Sequence, residues 1–208
     1  MKNANFWEAV ANNDTSALQN LLAASPELAG ARFVGNAWNP AAAPDETRAT
    51  EHDFTNTALH TAAVNSHTEM VQLLLQFGAD PNAIGFERDN KGLTPPVVLA
   101  AWEGSLETLR ALLDGGADPN IPASAETALY TAAEHGSADK VDLLLSYGAR
   151  HDVFTAAIVG DVFLVKRFLA AYPPLRYARS TKRHRTPCEE AEHHNQFEIV
   201  RLFEASAR

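Results

Sequence analysis

The apolar positions of this chain fall into a block that comes back. Residues 58–64, ALHTAAV, are a short run of mostly alanine and leucine without a formal charge. A polar break, Asn65-Ser66-His67, separates it from Met70, Val71, Leu73, Leu74 and Leu75, which make a broad stripe on a second helix beginning at Thr68. Gly78 ends that helix as a left-handed cap, and Asp80-Pro81-Asn82 turns the chain away. Thr57, just ahead of the first run, is a good N-cap, because its hydroxyl can accept from an orphan amide of the first turn. The same order returns as PPVVLAAWEGSLETLRALLDGGADPN over 95–120 and as TALYTAAEHGSADKVDLLLSYGA over 127–149. The pairs Ala62-Ala63, Ala100-Ala101 and Ala132-Ala133 lie 38 and then 32 residues apart, and Gly78, Gly116 and Gly148 step by the same amounts. Two landmarks with one spacing mean a duplicated helix-turn-helix unit.

A hairpin this small cannot cover its own stripe. Each Leu or Val is worth roughly 1.5–3 kcal/mol only once a neighbouring unit buries it, so the units must stack. Weaker copies flank the three strong ones. FWEAVANND and LQNLLAASPEL within 6–32 align with VFTAAIVGD and VKRFLAAYPPL within 153–175. Asp14 then falls on Asp161, Leu22 on Leu169, Ala23-Ala24 on Ala170-Ala171 and Pro26 on Pro173. TPCEEAEHHNQFEIVRLF over 186–203 makes a last pair, with Glu189, Glu190 and Glu192 on the polar face expected of a terminal cap. The pattern predicts one all-α domain over 1–208, a solenoid of about six units near 4–32, 55–83, 92–121, 125–151, 152–175 and 184–207.

The motif resembles the ankyrin-repeat family, whose units open on Thr-Pro-Leu-His, carry an alanine pair and a Val-x-x-Leu-Leu helix, and close on Gly-Ala-Asp. The match is close at 57–82 and nearly as close at 127–149. Unit 95–120 departs from it, with Pro95 in place of the capping Thr and Val98 in place of the His. Thr94 stands one place early, which suggests a one-residue insertion at that helix start. The resemblance implies a structural hydrogen bond for His60. It also implies that the two positions after each alanine pair face a concave groove: Val64-Asn65, Trp102-Glu103 and Glu134-His135. Function would then be non-catalytic binding of a protein partner through Asn65, Trp102, Glu103, Glu134 and His135, with Tyr130 alongside.

Three connections depart from a plain solenoid. The segment 33–54 is far longer than an inter-repeat turn, and Asn39-Pro40 and Pro44 make it extended rather than helical. Trp38 and Phe33 near its start are too apolar for a free linker. They either fold back onto the first repeat or line a binding surface. Trp38 and Phe54 are counted among the candidate binding residues. The segment 84–93 reads as an enlarged hairpin with Gly92 near its tip, where Phe86 joins the candidate binding residues. Between Gly148 and Val153 almost nothing intervenes, so one finger is absent there.

Composition narrows the function further. A formal charge of −9 over 208 residues disfavours nucleic acid and anionic membranes as partners. The single cysteine, Cys188, leaves no intramolecular disulfide and suits a reducing, cytoplasmic setting. The N-terminal MKNANFWEAVANND carries no apolar run that could serve as a signal peptide, and no stretch approaches the 18 uninterrupted apolar residues of a membrane span. The chain lacks a nucleophile elbow, a phosphate-cradling glycine loop, HExxH and paired cysteines, so neither a metal nor a cofactor is expected. Glu134 beside His135 supplies the usual pieces for proton transfer. With the 33–55 loop as a lid, it keeps an atypical enzyme or small-ligand binder open as the alternative. One acid-free basic stretch stands out, RYARSTKRHR over 176–185. Its Arg179, Lys182, Arg183 and Arg185 form either a finger for an anionic partner or a solvated surface balanced by the nearby glutamates.

Overall fold

Among the described residues, the polar break inside each repeat, such as Asn65-Ser66-His67, becomes a turn between two helices. The computed structural model describes residues 2–33, 56–86, 93–121, 127–181 and 183–205. Its contacts group into two compact bodies, Met1–Ser124 and Ala125–Arg208.

The first body contains α1 (Lys2–Ala11), α2 (Thr15–Ala24), β1 (Arg32–Phe33), β2 (Asn56–Thr57), α3 (Ala58–Val64), α4 (Thr68–Gln76), β3 (Gly85–Phe86), β4 (Leu93–Thr94), α5 (Pro96–Trp102) and α6 (Leu106–Asp114). Helix α3 packs between α1 and α5, and α4 between α2 and α6, which makes two rows. All seven residues of α3 are buried, as its alanine content allows, because small side chains let three helices approach closely. Gly78 and Gly116 close the outer helices at φ +82° and +90°, in the left-handed region that disfavours a Cβ. The helix start at 95 needs no insertion. Pro95 occupies the N-cap position of α5 with the same offset to the alanine pair that Thr57 has in α3. Thr94 belongs instead to the strand before it.

Both enlarged loops are clamped at their bases. Arg32 pairs with Thr57 and Phe33 with Asn56; Gly85 pairs with Thr94 and Phe86 with Leu93, each pair antiparallel. The Arg32 guanidinium donates to the Ile84 carbonyl at 2.9 Å, which ties one loop base to the other. Residues 34–55, with Trp38 and Phe54, lie outside the described residues, as does the tip of the second loop at 87–92.

His60 is the pin beneath these bases. The Thr57 amide donates to its Nδ1 at 3.1 Å, which leaves the proton on Nε2 to donate to the Thr94 carbonyl at 3.1 Å. The ring lies so close to the chain that a Cβ on Gly85 would sit 2.2 Å from the Asn56 Oδ1 and 2.5 Å from the His60 Nε2. Only glycine fits between them. Burial pushes the His60 pKa down to about 4, and the positive charge of Arg32 acts in the same direction. The native ring is therefore neutral, while the unfolded one takes up a proton below about pH 6.5. Its contribution is complete above pH 6.5 and is lost as pH falls toward 4, by roughly 3 kcal/mol in all. Urea midpoints of the parent should fall more steeply between pH 7 and 4.5 than those of His60→Gln. Equal slopes would refute this assignment.

The second body contains α7 (Ala128–Glu134), α8 (Ala138–Ser146), α9 (Val153–Val159), α10 (Val162–Ala171), α11 (Pro187–His193) and α12 (Phe197–Ala205). Helix α9 packs between α7 and α11. Ala156, Ala157, Val165, Ala191, Ile199 and Phe203 form a core cluster. Gly148 caps α8 at φ +85°, and Asp152 already caps α9 through a box with Thr155, so no finger separates them. The alignment of the two weak units also has a structural counterpart. Asp14 and Asp161 each cap a ten-residue helix, and a 3₁₀ turn follows from Pro26 to Gly30 and from Pro173 to Tyr177.

Candidate functional site

In the first body α3 and α5 lie side by side and stop at the same register. Asn65 is the exposed C-cap of α3, held by its Nδ2 donating to the Thr61 carbonyl at 2.9 Å. Trp102 ends α5 half-buried, and Glu103 caps it exposed. These three side chains form an amphipathic edge on two packed helices. Phe86 is placed by its backbone in β3, opposite Leu93.

In the second body α7 ends the same way, with His135 exposed and its Nδ1 2.8 Å from the Thr131 carbonyl. The neighbouring residues differ from expectation. Tyr130 is not a surface residue: it is 2% exposed, and its hydroxyl donates to Glu190 Oε1 at 2.6 Å. It stands three residues after Thr127, as His60 stands three after Thr57, and both rings turn inward from that register. Glu190, expected on a solvated polar face, is fully buried. Its Oε1 also accepts from Ser180 Oγ at 3.1 Å, and its Oε2 from Arg185 Nη1 at 3.3 Å. This buried hub was missed because Glu190 reads as one glutamate among three. The available signal was the tyrosine in the histidine's place.

The basic segment and the α7 end, treated as separate sites in the sequence, meet in one network. Arg183 is ion-paired with Glu134, whose side chain is only 8% exposed. Arg179 bonds the His184 carbonyl and lies 3.4 Å from Glu189, while Arg185 binds Glu190. The exposed Arg179–Glu189 pair contributes little, about 0–1 kcal/mol. The Thr186 amide holds the Glu189 carboxyl below its usual range, aided by Arg179. Lys182 lies outside the described residues. Glu134 and His135 are thus engaged with different partners, the one with Arg183 and the other with its own helix. Burial, then the nearby Glu192 and Glu204, push the Cys188 thiol up, away from thiolate chemistry. Among the described residues no group of three His, Cys, Asp or Glu is placed to hold a metal. None of the described helices is long and apolar enough to cross a membrane.

Paired helices with alanine-rich inner members, glycine-capped outer members and hairpin fingers define an ankyrin stack. A family model described as ankyrin repeats, in three copies, matches residues 6–123, and the chain belongs to that family. Similar proteins include the ankyrin repeat and KH domain-containing protein mask of Drosophila melanogaster, 44% identical over 101 residues. The human ankyrin repeat and KH domain-containing protein 1 is 43% identical over 101 residues. Both alignments span 47% of this chain but only 2% and 4% of those much longer proteins. Cyclin-dependent kinase 4 inhibitor B of Rattus norvegicus is 38% identical over 100 residues, covering 47% of this chain and 72% of its own length. Ankyrin repeats are general protein–protein interaction modules.

Proposed function

We propose that this protein is a non-catalytic binding module that holds a protein partner at the ends of the inner helices, with Trp102 as its anchor and Asn65 and Glu103 as flanking polar contacts. The observation that carries this reading is the edge formed by α3 and α5. Their interiors are fully committed to packing, yet both end on exposed polar caps beside a half-buried tryptophan. Trp is enriched among residues that dominate interface energies, and a fixed helix end presents it without loop ordering. The similarity to a kinase inhibitor supports binding rather than turnover as the kind of activity. A cytoplasmic location belongs to the same reading, since the lone cysteine suits a reducing compartment.

Capture of partners from native lysate, compared with Trp102→Ala and Glu103→Lys, tests it. Trp102→Ala should reduce capture about thirtyfold, as expected for a hot-spot residue, and Glu103→Lys by less. Both should keep the parent's helical circular dichroism. Unchanged capture by two folded variants would end this reading.

A further inference from the structure

Residues 180–186 carry three aliphatic hydroxyls, Ser180, Thr181 and Thr186, within the basic stretch and at its end. The fold engages two of them. Ser180 is 4% exposed, and its Oγ donates to Glu190 Oε1 at 3.1 Å while accepting from the Arg185 amide at 3.2 Å. Thr186 caps α11, its Oγ1 accepting from the Glu189 amide at 3.2 Å inside a capping box. Thr181 lies exposed in the turn between them.

That turn is a small finger closed at its base. The Ser180 amide donates to the Arg185 carbonyl at 2.8 Å, and the His184 amide to the Ser180 carbonyl at 3.0 Å. Arg179 and Arg183 flank Thr181 two positions away on either side. Arg183 fastens the finger to Glu134 at the end of α7, which lies beyond α9 in the row of inner helices. Thr181, Arg183 and His184 are all exposed, and a surface turn of this kind opens locally at low cost.

We propose that Thr181 is a phosphorylation site for a serine/threonine kinase that reads arginine on both sides of its acceptor, and that the phosphate releases Arg183 from Glu134. Side chains alternate along an extended chain, so in a kinase cleft Arg179, Thr181 and Arg183 face the same way. An acidic cleft then recognises the two guanidiniums by charge and holds the hydroxyl between them. The Thr181 Oγ1 attacks the γ-phosphorus of ATP, and the bond from that phosphorus to the bridging oxygen breaks. ADP leaves with the electron pair, and the hydroxyl proton passes to the kinase's base.

The phosphothreonine carries about −1.5 to −2 charge at pH 7 and three strong acceptor oxygens. Arginine pairs with phosphate as it does with carboxylate, so these oxygens compete with Glu134 for the Arg183 guanidinium. The added charge also repels the Glu134 carboxylate. Glu134 stands beside His135 at the α7 end, so the modification uncovers a polar helix end that the finger otherwise holds. Neither α3 nor α5 is involved, and the site stands or falls independently of the Trp102 edge.

For the test, the full chain is incubated with ATP, magnesium and the catalytic domain of a kinase chosen on peptides for arginine two residues either side of the acceptor. Mass-spectrometric mapping should place the phosphoryl group on Thr181. Thr181→Ala should abolish the labelling, Thr181→Ser should retain it, and Arg179→Ala should slow it about tenfold. Circular dichroism verifies that the variants fold. Absence of label at Thr181, or faster labelling of Ser180 or Thr186 in the folded chain, overturns the site. Hydrogen exchange reads the latch: the His184 and Arg185 amides should exchange about tenfold faster after phosphorylation, and Arg183→Ala should loosen them without it. Equal exchange before and after phosphorylation overturns the release of Arg183.

Discussion

Replacing Glu190 by alanine is expected to destabilise the Ala125–Arg208 body by about 2–4 kcal/mol. The buried carboxylate accepts from the Tyr130 hydroxyl, Ser180 Oγ and the Arg185 guanidinium. Its removal strands a buried hydroxyl and leaves a cation without its partner. Arg185 keeps 29% of its side chain exposed, so water recovers part of that loss, and the effect stays below the upper range for a fully buried pair. Glu190→Gln retains an acceptor for Tyr130 but loses the charge, and should fall between parent and alanine. Tyr130→Phe removes a single bond and should lose about 1–2 kcal/mol. The double variant Tyr130→Phe, Glu190→Ala should be less destabilised than the sum of its parts, because the two groups share one bond. Urea unfolding of the full chain measures all four. A Glu190→Ala midpoint equal to that of the parent would show that the hub carries no stability.

Leu74→Ala and Leu144→Ala should each lower stability by about 2–5 kcal/mol. Both leucines are fully buried on outer helices, and each truncation leaves a cavity whose walls relax only in part. Leu74 should lie toward the upper end, since α4 is flanked by α2 and by α6 and has little room to collapse. Midpoints unchanged for both would mean that the stacked leucines do not carry the fold.

Much of this architecture was legible because it is local. Glycine at the end of a leucine stripe has one common use, and Gly78, Gly116 and Gly148 all adopt it. The kinship of Asp14 with Asp161 and of Pro26 with Pro173 was readable for the same reason, since a cap, a helix and a 3₁₀ turn depend on residues within one or two turns. Trp102 and Glu103 could be assigned to a helix end by counting from the alanine pair. Tyr130 could have been read correctly too. It holds the register of His60, and a residue already understood as an inward-facing pin should have carried its neighbour's aromatic equivalent with it.

What the sequence by itself determined is the repeating unit: its period, its two helices, its caps, and the need to stack that follows from a stripe no single hairpin can cover. The tertiary structure alone decided which polar groups leave solvent. Glu190 meets Tyr130 across 60 positions of chain, and Arg183 meets Glu134 across 49. Charge and spacing along the sequence hold no record of such partners. Burial of a carboxylate is tolerable only where several donors converge on it, and convergence is a property of how the helices stack.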